Sequence, residues 1–408
     1  MPCTKAIEIR PIMLKGYFGF PNNSTTDPTT QSSKGNEFFL GFMGNIESGD
    51  AHHYTSPTVT VALFVTTDDP GAVEFAVECL GELKTFEARK GRTTFVNLPV
   101  GKAGEIGDIR VSNENERNTG VHVNTVDPTK LITVYGMNEG ISRVTTDAFL
   151  ALPCHKYPVA DYRYFVFSAN TKSHTSRTFK SQFLIVPCED NTRVTIRPTQ
   201  QIALEPDLTG LTFQLFVSEL NTATFTINRL NTAQFNAQDD LTGTIIHSDK
   251  PISVFVGHEC GQIPEDKSSC DHLVEQIPPD GTWGTQFFTV PLNVRESGER
   301  YRIGTASDNN QVNVTCTSEG QTTPHLQITE TIHSQRDKKQ YVEFDSIGDN
   351  IDGISPGYRR DFCCIETTKP AVVMMYSKSH SVDEIILSYC RNSRRSLYDA
   401  CATHIPIF

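Results

Sequence analysis

The stretch most able to do chemistry is GHECGQIPEDKSSCDHL, Gly257 to Leu273. Its ends form an H-x-C pair, His258 and Cys260, and a C-x-H pair, Cys270 and His272. Two thiolates and two imidazoles are the donor set of a tetrahedral zinc site. The same two cysteines, joined to each other, would close a short loop and restrict the unfolded chain by about 3 kcal/mol. In an oxidising compartment the disulfide is the stronger reading. Each histidine lies too near its own cysteine for all four to reach one ion comfortably, so His258 and His272 are expected to be polar loop residues.

Acidic turns recur at Asp68-Asp69, Glu189-Asp190-Asn191 and Ser307-Asp308-Asn309. Calcium uses such oxygen ligands, yet Asp and Asn are also what tight turns need for local hydrogen bonding and left-handed backbone. No D-x-D-x-D-G run supports calcium, and the turn reading is preferred. The chain contains no H-E-x-x-H, phosphate-cradling glycine loop or C-x-x-C. No catalytic, cofactor or metal residue is therefore assigned, and a cytosolic enzyme is a distant alternative. Of 11 cysteines, Cys390 and Cys401 are expected to clip the C-terminal tail. The neighbours Cys363 and Cys364 face opposite sides of a strand and must have different surroundings. An odd count leaves at least one thiol unpaired within the chain, with Cys3 the natural candidate. Sequons at Asn22, Asn23 and Asn313 are glycan acceptors if the chain is secreted.

The elements that must position these residues are strands. Aromatic content is skewed, 24 Phe and 12 Tyr against one Trp, and short Val/Ile/Thr/Phe runs take the place of long Ala/Leu/Glu/Lys stretches. The chain has 408 residues and a formal net charge of −12. It can bury a substantial core, and it lacks the basic excess that a nucleic acid or an anionic membrane attracts. Its longest apolar runs fall far short of the roughly 20 residues a membrane-spanning helix needs.

The sequence repeats. KLITVYG begins at Lys130, KPISVFVG at Lys250 and KPAVVMMY at Lys369, separations of 120 and 119 residues. Upstream of each lies an apolar strand, an acidic turn and an alternating strand: LFVTTDDPGAVEFAV, FLIVPCEDNTRVTI and YRIGTASDNNQVNV. TTDAFLALP, SCDHLVEQIPP and SVDEIILSY close the units, each with an Asp before an apolar stretch. The expectation is an all-β chain of three tandem repeats of about 120 residues, each a sandwich-like antiparallel unit. Residues 1–35 form a partly disordered lead-in, 36–155 the first repeat, 156–281 the second, and 282–408 the third with its tail. A single closed, propeller-like ring of β blades is the competing packing.

The middle repeat also carries a recognisable segment. DLTGTIIHSDKPISVFVGHECGQIPEDKSSCDHLVEQIPPDGTWGTQFFTVPL, Asp240 to Leu292, resembles the IgGFc-binding domain at the N-terminus of IgG Fc-binding proteins. Members of that family are large secreted mucus proteins that continue into von Willebrand type D modules. The features in common are the DLTGT turn, the DKPISVF strand, the loop from GHEC to CDHLVEQ, and the PPDGTWG link. Weaker agreement reaches GNEFFLGFMGN, TTDAFLALP and KSQFLIVPCEDNTRVTI. The chain shows no type D module or mucin-like stalk, and its first residues lack the apolar core of a signal peptide. It is expected to be a domain-only member or a fragment whose start lies upstream. The resemblance implies a secreted, non-enzymatic binding or adhesion module that engages an extracellular protein or glycoprotein, IgG Fc or mucin among them. A self-associating structural component of mucus or extracellular matrix is the alternative.

Overall fold

The computed structural model describes residues 33–45, 60–100, 110–111, 119–139, 145–154, 162–169, 179–199, 222–263, 270–289, 298–318, 321–335, 338–346 and 361–377. Among these the regular structure is strand, apart from one 3-10 turn at Asp280–Thr282. Among the described residues no helix is long and apolar enough to cross a membrane.

The first stretch contributes β1 (Glu37–Leu40), β2 (Phe42–Met43), β3 (Thr60–Thr66), β4 (Val73–Cys79), β5 (Glu82–Ala88), β6 (Thr94–Asn97), β7 (Arg110–Val111), β8 (Val121–Thr125), β9 (Thr133–Glu139) and β10 (Thr146–Leu150). They build antiparallel sheets ordered β1-β8-β4-β5 and β10-β9-β3-β6, with β2 and β7 as a small parallel pair. The second stretch contributes β11 (Tyr162–Phe165), β12 (Ser181–Pro187), β13 (Thr192–Arg197), β14 (Ala223–Ile227), β15 (Ala233–Ala237), β16 (Ile245–Ser248), β17 (Ile252–Gly261) and β18 (Asp271–Ile277). Its sheets run β11-β16-β13-β14 and β15-β12-β17-β18. The third contributes β19 (Gly284–Phe288), β20 (Glu299–Gly304), β21 (Asn310–Ser318), β22 (Leu326–Ile332), β23 (Tyr341–Asp345) and the long β24 (Asp361–Ser377). Its sheet runs β22-β21-β24-β20-β23, with β19 also on β24.

Residue choice explains these elements. TRVTIR in β13 alternates buried and exposed positions, as a half-buried strand must. The tight β4 to β5 hairpin turns through Leu80 and Gly81, both at positive φ (49° and 78°), the geometry that a two-residue primed turn requires. SQFLIVP in β12 and ISVFVGHECG in β17 do not alternate. β12 is buried throughout and β17 at every position but one. Such runs belong to central strands covered on both faces.

The covering comes from within one compact unit. Described residues up to Gly281 form that unit, and those from Thr282 onward form a second. In the first unit Phe38, Leu63, Phe75, Val123 and Val134 make a core between the first two sheets, and Leu184, Val186, Phe255 and Val274 of the next sheet join it. Phe149 meets Phe255 edge-on at 4.8 Å between ring centroids. On its other face that sheet packs inward through Phe235, whose ring lies 5.7 Å from Phe225 of the facing sheet. Position 155, where the first repeat is expected to end, therefore lies inside one compact unit, and the Cys154–Cys188 disulfide crosses it. The second unit has its own core, centred on Tyr301, Ile303, Val312, Val314, Ile332 and Ile365.

Candidate functional site

β17 and β18 pair antiparallel across the segment that the sequence singles out, with an irregular register between His258 and Gly261. The structure joins Cys260 to Cys270 in a disulfide, with the Cα atoms 5.1 Å apart. Both sulfurs are therefore committed to each other rather than held as metal thiolates. Among the described residues no group of three or more His, Cys, Asp or Glu side chains is arranged to hold a metal ion.

The histidines differ from the expectation. His258 and His272 lie within strands and are 0% and 1% exposed, not polar loop residues. The Nδ1 of His258 accepts from the Cys260 amide at 3.0 Å. The Nε2 of His272 accepts from the Asn138 side-chain amide at 3.1 Å. Burial drives both imidazoles toward the neutral form, His258 to about 3 and His272 to about 4. Gly257 permits the close approach of the two strands: a Cβ there would lie 1.7 Å from the Leu273 carbonyl oxygen.

The strands are also fastened sideways. β10 and β18 are the edge strands of their sheets, and they bond through side chains. Asp147 accepts from the Val274 amide at 3.0 Å, and Asp271 accepts from the Thr146 amide at 2.9 Å. Gln276 accepts from the Leu152 amide at 2.9 Å. This reciprocal carboxylate clamp occupies backbone donors that an open edge would leave unpaired. Its two members are the aspartates of TTDAFLALP and SCDHLVEQIPP, so the recurrence was visible in the sequence while the partners were not. Beside it Asn138 donates to the Met43 carbonyl at 2.8 Å, and Thr145 donates to Asn45 Oδ1 at 2.8 Å.

The acidic turns serve local hydrogen bonding. Asn191 and Asn309 both adopt φ near 53°, the left-handed conformation that Asn tolerates. Lys130 donates to Asp69 Oδ2 at 2.7 Å, and together with the Gly71 amide it holds that carboxyl below the usual carboxylate range. Lys250 and Lys369 donate to the backbone carbonyls of Asp190 and Asp308. Asp308 is held low by Gln335 and Ser334. The three lysines that open the repeated strands thus each close the acidic turn upstream.

One Ser/His/Asp group does assemble. Asp361 receives the Ser318 hydroxyl at 2.8 Å and the His325 Nε2 at 3.2 Å, while Ser318 Oγ lies 3.4 Å from His325 Nδ1. The Ser318 proton is directed at the carboxylate rather than at the imidazole, so the histidine is not placed to activate that hydroxyl as a nucleophile.

Cys363 pairs with Cys316, and the adjacent Cys364 is also disulfide-bonded. Among the described residues Cys79 carries a free thiol. It is buried, which pushes its pKa up and makes it a poor nucleophile. Asn313 lies half-buried on β21. Cys3, Asn22, Asn23, Cys390 and Cys401 fall outside the described residues.

Comparison with known proteins agrees with this segment's resemblance. A family model described as IgGFc binding protein matches residues 147–402. The IgGFc-binding protein of Homo sapiens is 34% identical over 67 residues, 16% of this chain and 1% of that protein. The matched part is thus a very small share of that relative's length. No solved structure matches. The family match extends over more than half of the 408 residues, and the chain belongs to the IgGFc binding protein family.

Proposed function

We propose that this chain is a secreted, non-enzymatic binding module that engages an extracellular protein or glycoprotein through loops set on a rigid sheet scaffold. The observation that carries this reading is the family match over residues 147–402, within which the β17 to β18 loop sits on a base fixed by a disulfide, two neutral histidines and the aspartate clamp. Loops anchored on a stiff scaffold are where binding residues concentrate. Three disulfides among the described residues suit an oxidising compartment. Surface plasmon resonance against IgG Fc, mucin and the chain itself tests the reading. Saturable binding to Fc or mucin that survives moderate salt is expected, because a net charge of −12 offers no polycation for counterion release. Binding only to itself would favour the structural alternative, and a turnover activity lost on a single substitution would overturn the non-enzymatic reading.

We also infer three related units, residues 36–155, 156–281 and 282–408. What supports this is strand order: β1-β8-β4-β5 and β10-β9-β3-β6 correspond in chain order to β11-β16-β13-β14 and β18-β17-β12-β15. The three lysine-closed turns point the same way.

A further inference from the structure

Both histidines at the base of the Cys260–Cys270 loop are fixed as hydrogen-bond acceptors. His258 Nδ1 receives the Cys260 amide, and His272 Nε2 receives the Asn138 amide nitrogen. The same Asn138 nitrogen donates to the Met43 carbonyl, which fixes the orientation of the amide: turned over, it would set oxygen against oxygen. A neutral imidazole already carries its proton on the other nitrogen, so a second proton must go to the accepting one. Protonating either ring therefore breaks a buried hydrogen bond and sets donor against donor.

We propose that His258 and His272 form an acid-operated latch, holding the base of the Cys260–Cys270 loop closed at neutral pH and releasing it locally on acidification. The latch spans two sheets, because Asn138 lies on β9 and His272 on β18. The disulfide stays intact at either pH, so release occurs between covalently joined ends.

The charged groups facing the rings are few. Asp240 favours the proton on His258 and Asp147 favours it on His272, but desolvation outweighs both, and a charged His272 disfavours the proton on His258. Asp271 and Glu259, the immediate neighbours, are engaged with backbone amides: Asp271 with Thr146 and His272, Glu259 with Lys180. With the closed-state values near 3 and 4 against an ordinary 6.5, the open state binds more protons. The closed state is fully favoured above pH 6.5 and loses ground as pH falls toward 4. At pH 5.0 the opening equilibrium should rise about 30-fold for each histidine released.

The test is hydrogen–deuterium exchange on the full chain at pH 7.4 and 5.0, corrected for intrinsic exchange. Protection of β17 and β18, residues 252–261 and 271–277, should fall at least ~30-fold at pH 5.0, while β3 keeps its protection. The double variant His258→Asn/His272→Gln, which places carbonyl acceptors near the accepting nitrogens and cannot be protonated there, should keep its protection at both values. Unchanged protection in the wild type, loss throughout the chain, or equal loss in the double variant overturns the proposal. Should that variant not fold, imidazole C2-hydrogen exchange on the wild type decides: titration of both rings below about 5 supports the latch, and titration near the ordinary 6.5 overturns it.

Discussion

Replacing Gly257 by alanine tests whether the strand approach at the loop base is as tight as described. The added Cβ would meet the Leu273 oxygen at 1.7 Å, the Leu273 carbonyl carbon at 2.5 Å and the Val274 Cα at 3.2 Å. All three are backbone atoms on the paired strand, so no side chain can swing aside and β17 must move off β18. Overpacking of this kind costs about 1 to 3 kcal/mol, and one or two ladder hydrogen bonds lost beside it add about 1 kcal/mol each. A total of about 2 to 5 kcal/mol is a large share of a typical folding stability of about 5 to 15 kcal/mol. For a unit of this size it lowers Tm by roughly 4 to 20 °C. Gly261→Ala is the matched control, because its Cβ would meet the Leu273 side chain, with Cδ1 at 2.4 Å, which a rotamer change relieves. It should cost less than about 1.5 kcal/mol. Calorimetry of both variants, secreted with their disulfides formed, makes the comparison. If Gly257→Ala lies within about 1 kcal/mol of the wild type, or is no worse than Gly261→Ala, the reasoning from backbone contact is wrong.

Three further outcomes are expected. Asp147→Ala and Asp271→Ala each remove a charged acceptor from a backbone amide and should each destabilise by about 1.5 to 3 kcal/mol by chemical denaturation; a double-mutant cycle should show coupling, whereas simple additivity would argue against a shared clamp. The pair Cys260→Ala/Cys270→Ala should lower stability by about 3 kcal/mol, and non-reducing peptide mapping of the wild type should recover both cysteines in one linked peptide; two free thiols there would contradict the structure. A flexible insertion after Gly281 should be tolerated, and one after Cys154 should unfold the first unit, since a shared core and a disulfide cross there; equal tolerance by circular dichroism would remove that distinction.

The strands were legible wherever one face is wet. TRVTIR alternates and folds as a half-buried strand. The lysines near 120-residue spacing were equally plain, although a spacing says nothing of what each side chain holds. Asp147 and Asp271 stood out as recurring residues, but the amides they accept from lie 127 and 125 residues away in the chain, a distance that periodicity does not reach. His258 and His272 were misread for a related reason. A polar residue in a short cysteine-bounded stretch resembles a loop residue, and the sign of burial is the run ISVFV just before it, apolar but for Ser253. That run has no alternation because both faces of its sheet are covered, one by the facing sheet of the same pair and the other by the core that Leu184 and Phe255 share with the first two sheets.

Coverage on both faces also bears on recognition. A loop that must order itself on binding gives up affinity with each side chain it immobilises, about 0.5 to 1.5 kcal/mol apiece, whereas one held beforehand gives up little. The base of the β17 to β18 loop is held from three directions: by the disulfide at its neck, by Asn138 reaching across from β9, and by the carboxylates of Asp147 and Asp271 along the β10 edge. The disulfide is insensitive to the charge on an imidazole, whereas the Asn138 tie depends on it. A partner engaging the described base of this loop would meet groups already fixed in place at neutral pH. Acidification would remove the Asn138 tie to His272 and the hydrogen bond that the Cys260 amide donates to His258 while leaving the neck closed, so binding by this loop should weaken through reordering cost rather than through lost contacts. Weakening of that kind would appear in the association rate before the dissociation rate, because the competent conformation becomes the minor one.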